Sequence, residues 1–206
     1  MDAPVLIRTY DAPPVDIRAM LAFAGVRKDD PEVSQLLTET LEEVQGALSY
    51  AVCFCELPLA ITGDTVMFGD VCVDSHDLAV ALRDCERVVL FAATVGHTID
   101  RLIARYGRIA PSRALLLQAI GAERVEALCN RFCDELAKEA RARDLATRPR
   151  FSPGYGDLPL ELQREIFRIL DCPRRIGLSL NQSLLMSPTK SVTALVGLFP
   201  QEREDI

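Results

Sequence analysis

The chain predicts an α+β fold, with N-terminal helices followed by a twisted, mainly antiparallel sheet packed against one long helix. Three observations carry this. Val33, Leu36, Leu37, Leu41, Val44, Leu48 and Val52 keep the three-four spacing of a helix with one buried stripe. The run Arg87–Thr94 (RVVLFAAT) is apolar and rich in β-forming residues. From Pro111 to Ala142, Leu115, Leu116, Ala119, Ile120, Ala122, Val125, Leu128, Cys129, Phe132 and Leu136 give one long helix a broad apolar face. These elements make a single domain over residues 1–206, with a helical part at 1–57, a mixed part at 58–200 and a frayed tail at 201–206.

Taken in order, Pro4, Pro13 and Pro14 stiffen residues 1–15 into an extended arm. Asp16 caps a short helix running to Gly25. Asp30 and Pro31 open the stronger helix, because proline fits a first helical turn. Glu39, Glu42 and Glu43 lie largely off its stripe, as a solvated face. From Pro58 the period changes, and Leu59-Ala60-Ile61 with Val66-Met67-Phe68 around Gly63-Asp64 reads as a hairpin. Asp74 or Ser75 then caps a helix bearing Leu78, Ala81 and Leu82. The strand at 87–94 stops at Gly96, and His97–Tyr106 reads as a helix. Glu126 lies beside the apolar face of the long helix, and pattern alone makes it solvent-exposed. Arg141, Arg143, Arg148 and Arg150 gather where that helix ends, part of them complementing its dipole.

The 206 residues are 49% hydrophobic and 26% charged, an ordinary globular balance. A net charge of −7 argues against nucleic acid as a partner, since that needs a clustered basic face. Apolar runs such as Val88–Val95 fall well short of the roughly 20 residues of a membrane span. Met1-Asp2-Ala3-Pro4 has no basic region followed by an apolar core, so a cytoplasmic location is expected. Cys53, Cys55, Cys72, Cys85, Cys129, Cys133 and Cys172 then read as reduced thiols. Cys129 and Cys133 share a helix face, but His76 and His97 belong to no paired motif that would complete a metal site, so core packing is the better reading.

The segment Arg150-Phe151-Ser152-Pro153-Gly154-Tyr155-Gly156-Asp157-Leu158-Pro159 is the most informative for function. Its prolines and glycines forbid a regular helix or central strand. An Arg and a Tyr on a stiff, backbone-exposing loop suit the gripping of a small polar ligand. An ordinary connection would look the same. The loop leads into a helix over Leu160–Leu170, then Ile176-Gly177-Leu178, Ser183-Leu184-Leu185-Met186-Ser187-Pro188 and Lys190-Ser191-Val192-Thr193-Ala194.

This order resembles the activation domain of cobalamin-dependent methionine synthase, which binds S-adenosylmethionine. That family has an Arg-x-x-x-Gly-Tyr loop, a short helix, an Ile/Met-Gly turn and a Ser-x-x-Met-x-Pro-x-x-Ser-Val ending. Phe91–Gly96 resembles a further segment of it. Ala122-Glu123-Arg124-Val125-Glu126-Ala127-Leu128 lines up without gaps with the family helix, whose ligand-binding glutamate falls on Glu126. The resemblance implies that Arg150 binds the α-carboxylate of S-adenosylmethionine and Glu126 its cationic end. Tyr155 would supply a flat face and a hydroxyl, and Ser152 and Gly154 close backbone approach. Asp144 stands six residues before Arg150, where the family has an acidic ligand residue. Lys190 and Ser191 fall in the motif's far arm, facing the cobalamin, with a solvated lysine as the other reading of Lys190.

The resemblance also implies a job. The family restores oxidised cobalamin with one electron from a flavodoxin-like donor and a methyl group from S-adenosylmethionine. Asp74-Ser75-His76 begins like a cobalamin-binding Asp-x-His-x-x-Gly pattern, but Ala79 stands in place of the glycine. The chain is thus expected to act as a stand-alone reactivation subunit on a cobalamin-carrying methionine synthase or related corrinoid protein. A docking or chaperone-like module that has lost the methyl donor is the alternative. A free-standing methyltransferase would need a glycine-rich strand-to-helix turn, which is missing. Two departures bear on this. Gly156-Asp157-Leu158-Pro159 replaces the family's Pro-Ala-Cys-Pro, and the family's later strand, helix and aromatic ligand contact have no counterpart after Leu198. Both point to weaker affinity for S-adenosylmethionine or a changed ligand.

Overall fold

The computed structural model describes residues 3–26 and 30–201. In chain order these form β1 (Leu6–Tyr10), α1 (Ile17–Phe23), α2 (Pro31–Gln45), β2 (Tyr50–Thr62), β3 (Thr65–Phe68), β4 (Val71–Asp74), α3 (His76–Ala81) and β5 (Arg87–Thr94). There follow α4 (Thr98–Ile109), α5 (Pro111–Arg141), β6 (Leu145–Thr147), α6 (Leu162–Leu170), α7 (Cys172–Ile176), β7 (Ser179–Leu180), β8 (Met186–Ser187) and β9 (Ser191–Pro200). The class is α+β as the sequence predicts. The main sheet runs β4-β3-β2-β5-β9-β6 with β1 alongside β2, and these strand pairings are antiparallel.

The three central strands are covered on both sides, so alternate residues feed two cores. On one face Val52, Phe54, Val89, Phe91, Ala194 and Val196 meet Ile120, Leu128 and Phe132 of α5. The Phe132 ring lies 5.1 Å from that of Phe54 and 4.9 Å from that of Phe91, both tilted. On the other face Cys53, Cys55, Val88, Leu90 and Leu195 pack under Leu78, Leu162, Ile166 and Leu170.

Two stretches bear on the sequence-based expectation. The helix starting at Pro31 ends at Gln45, and the segment from Tyr50 to Leu57, expected in the helical part, is instead the first half of the long strand β2. Val52 therefore belongs to the sheet. With Val52, Cys53, Phe54 and Cys55 all buried, no two-residue alternation marks the strand. The N-terminal arm is extended as expected, and Leu6–Tyr10 of it pairs with β2.

The arm is held at its far end by a buried charge. Arg124 on α5 donates to the carbonyls of Pro13 and Pro14, each at 2.7 Å, and pairs with the neighbouring Glu123. Glu123 in turn accepts the backbone N–H of Asp16 at 3.3 Å. Asp16 caps α1 through the N–H of Ala19, and Asp30 caps α2 through those of Glu32 and Val33. The start of α1 is thereby set beside α5. At the other terminus Gln201 donates its N–H to the Asp144 carbonyl at 3.0 Å. The rest of the tail expected to fray, 202–206, lies outside the described residues. No helix among the described residues is long and apolar enough to cross a membrane.

Candidate functional site

Helix α5 supplies one wall of the site and the segment after β6 supplies the other. The Arg148 N–H bonds to the Gly197 carbonyl, and Phe151 exchanges hydrogen bonds with Leu195 at 2.9 and 2.8 Å. These contacts lay residues 148–151 along β9 and deliver Arg150 next to α5. There Arg150 Nη1 donates to Asn130 Oδ1 at 2.7 Å, while Nη2 pairs with Glu126 Oε2. Glu126 and Asn130 are one helical turn apart, so a single guanidinium fork spans both. The Arg150 side chain is 25% exposed and that of Glu126 41%, so the pair sits at a mouth rather than in the core.

Glu126, Arg150, Ser152, Tyr155 and Ser191 all line one cleft of about 380 Å³. Phe151, Pro153, Gln163, Met186, Val192 and Thr193 complete its walls. Tyr155 is 69% exposed and lies along the rim. The Ser191 hydroxyl is 2.8 Å from that of Thr94 and 2.9 Å from the Pro188 carbonyl oxygen, which fixes the start of β9. On the other side of Glu126 a larger concavity of about 730 Å³ runs between α1 and α5, lined by Asp16, Glu123, Asp134 and Glu135 among others.

The loop is shaped by glycine and by an aspartate. Gly156 has φ +56°, and a Cβ there would stand 2.0 Å from Asp77 Oδ2. Only glycine lets the loop approach α3 so closely. Asp157 then accepts the backbone N–H groups of His76 and Asp77 at 2.8 and 3.2 Å, and the Ser75 hydroxyl as well. Asp77 returns the contact by accepting the Asp157 N–H at 3.2 Å. The Ser75 hydroxyl and these amides hold the Asp157 carboxyl below its ordinary pKa. The Gly-Asp that departs from the family pattern is thus what ties the loop to the start of α3. Gly154 is exposed in the same turn and does not line the cleft; its N–H bonds to the Leu158 carbonyl at 2.9 Å.

Two further candidates stand apart from the cleft. Asp144 follows α5 with φ +58°, and Leu145 pairs with Pro200 whereas Phe151 pairs with Leu195. The intervening residues run extended along β9, which carries Asp144 on the order of 20 Å from Arg150 at about 3.3 Å per residue. Lys190 is not among the lining residues. Its stem packs over Gly121, and burial pushes its amine below the ordinary lysine pKa. It is therefore not a fully solvated lysine either. The basic cluster also disperses: Arg143 binds Glu56 through two 2.7 Å bonds, and Arg148 lies over the Phe199 ring.

Three lining or contacting residues are not singled out by the sequence pattern. Asn130 is four residues from Glu126, a spacing that could have flagged it. Gln163 is a buried polar residue among the apolar positions Leu162, Ile166, Phe167 and Leu170 of α6, which is a readable signal. Thr193 belongs to a strand whose sequence gives no such hint. Burial pushes the Cys129 thiol up to about 12 and raises Cys133 too, against the opposing pull of Arg150. Among the described residues no group of three or more His, Cys, Asp or Glu could hold a metal ion.

Comparison with known proteins bears on this geometry. The family model described as vitamin B12 dependent methionine synthase, activation domain, matches residues 79–204, more than half of the chain. A solved structure titled "Crystal Structure of the MetH Reactivation Domain bound to AdoHcy" is similar with a TM-score of 0.72. It matches over 98% of this chain and 80% of that one at 14% identity, a likeness of fold. No curated protein sequence matches the chain.

Proposed function

The chain belongs to the family of vitamin B12-dependent methionine synthase activation domains, and from that premise we propose that its cleft binds S-adenosylmethionine. It would present the methyl group to a cobalamin carried by a separate partner, a methionine synthase or related corrinoid protein, for reductive methylation of cob(II)alamin. The observation that carries this reading is the meeting of Arg150 and Glu126, from separate segments, in a cleft that also holds Tyr155. The similar reactivation domain was solved with AdoHcy, the thioether left when S-adenosylmethionine gives up its methyl group.

The residues fit such a ligand. A volume of about 380 Å³ lies in the range of small-molecule sites. Asn130 and Glu126 engage only part of the five-donor guanidinium of Arg150, and its planar fork matches a carboxylate. The ion pair occupies Glu126 Oε2, which leaves Oε1 as an acceptor for the ligand's ammonium group and its negative charge for the sulfonium. Tyr155 at the rim covers the bound molecule from solvent on one side. The cobalamin supplies the reactive cobalt centre, and an electron from a flavodoxin-like donor supplies the reduction. The chain contributes placement: it holds the methyl donor in line and at short range.

The test is made in trans. The chain is mixed with a cobalamin-loaded methionine synthase fragment that lacks its own activation domain, a flavodoxin-type reductant and S-adenosylmethionine labelled in its methyl group. Label should pass to the fragment only when the chain is present. Equal transfer, or none, with and without the chain contradicts the proposal.

A further inference from the structure

The cleft contains two polar side chains that the protein itself leaves unsatisfied. Gln163 on α6 is 6% exposed and Thr193 on β9 is 2% exposed. Neither Gln163 Oε1 nor Thr193 Oγ1 has a hydrogen-bond partner among the described residues. Folded proteins seldom bury polar atoms this way, and each case calls for a partner. Of the four such atoms among the described residues, these two belong to residues that line the same concave surface, with Arg150 and Glu126.

The chemistry of the two groups selects what would pair with them. Both are neutral, so they offer nothing to a carboxylate or an ammonium that Arg150 and Glu126 do not offer better. A carboxamide presents an acceptor and a donor side by side, and a hydroxyl can do either. Phe151, Pro153, Met186 and Val192 add apolar wall to the same cleft. A flat heteroaromatic ring with a donor next to an acceptor matches that combination. The amino edge of adenine is such a ring edge, and a glutamine carboxamide pairs with it through two bonds, to N6 and N7.

We infer that Gln163 and Thr193 read the adenine of the bound ligand by its N6 and N7 edge, making the cleft selective against a 6-oxo purine. The inference rests on the reading of the cleft as the S-adenosylmethionine site. In a 6-oxo purine both edge atoms are acceptors, so either orientation of the Gln163 amide sets one acceptor against another. The charged pair then holds the amino-acid portion and the neutral pair the base.

Titration calorimetry on the full chain tests this, with S-adenosylhomocysteine and its 6-oxo analogue S-inosylhomocysteine as probes. The wild type should bind the adenine compound about tenfold or more tightly than the inosine one. Gln163→Leu and Thr193→Val should each weaken binding of the adenine compound and draw the ratio towards one. Their ligand-free melting temperatures should equal or exceed that of the wild type, because each loses a buried unpartnered atom. If the wild type binds and both variants keep its affinity and preference, the base is read elsewhere and this inference fails alone. Equal weakening towards both probes with a lowered melting temperature marks a structural role and also overturns it. No heat from the wild type with either probe removes the ligand reading and this inference together.

Discussion

Asp157 closes the N-terminus of the helix that begins at His76, accepting that residue's backbone N–H at 2.8 Å. The amides at a helix start lack intrahelical partners, and here a loop from far along the chain supplies one. Asp157 thereby fixes the loop that carries Tyr155. Asp157→Ala should lower the melting temperature and weaken S-adenosylmethionine binding several-fold, read by thermal unfolding and calorimetry. The sign with pH comes from the lowered carboxyl pKa, caused first by the Ser75 hydroxyl. A depressed native pKa contributes stability above the ordinary aspartate value of about 3.9 and loses it as pH falls below. The wild-type advantage over Asp157→Ala should be complete at neutral pH and close below pH of about 4.

Arg150 is the residue on which ligand affinity should depend most. Losing a charge-assisted hydrogen bond weakens binding by about ten- to a hundredfold. Arg150→Gln should show that loss towards S-adenosylmethionine in calorimetry. Arg150→Lys should recover little, since an ammonium cannot reproduce the planar fork.

The buried Arg124–Glu123 pair secures the arm at Pro13 and Pro14, whose carbonyls Arg124 satisfies. Removing one member of such a pair leaves the other charge buried and uncompensated, at about 3–5 kcal/mol. Arg124→Met should therefore unfold at clearly lower denaturant. The double variant Arg124→Met, Glu123→Leu should regain part of the loss. Equal stabilities of the wild type and Arg124→Met would contradict this account.

Thiol chemistry offers a check on the packing. Cys72 is exposed, Cys133 is partly so, and Cys53, Cys55, Cys85, Cys129 and Cys172 are buried. Burial also pushes Cys55 up to about 11, so little thiolate exists there at neutral pH. A maleimide or disulfide reagent should label Cys72 fast and Cys133 slowly, with the buried five reacting only on unfolding, as mass spectrometry would read.

Much of this fold was legible because most elements bury one face only. The stripes of α2 and α5 could be read in outline, although Leu115 is exposed and Leu117 takes a core place instead. The caps at Asp16 and Asp30 could be read directly, with Ser75 one of two candidates for the third. Strand β9 and the first half of β2 could not. They are covered on both sides, as β5 is, but a run such as Tyr50–Leu57 lacks the dense β-forming residues of Arg87–Thr94 and shows no alternation to set against the helix period. The site was legible in pieces. That Arg150 and Glu126 meet depends on residues 148–151 aligning with β9, a long-range pairing no local pattern encodes. The same strand carries Asp144 away, and close packing over Gly121 draws Lys190 aside, which spacing along the chain could not convey. Gln163 was visible as a polar break in an apolar helix face, yet its place in the cleft depends on how α6 packs.

The central claim is that the cleft shared by Arg150, Glu126 and Tyr155 binds a cationic methyl donor. Titration of S-adenosylmethionine into the full chain by calorimetry tests it most directly. The account predicts saturable heat at one site, greatly reduced in Arg150→Gln and reduced in Glu126→Gln, with both variants folded by circular dichroism. A folded wild type giving no heat at millimolar S-adenosylmethionine would contradict it.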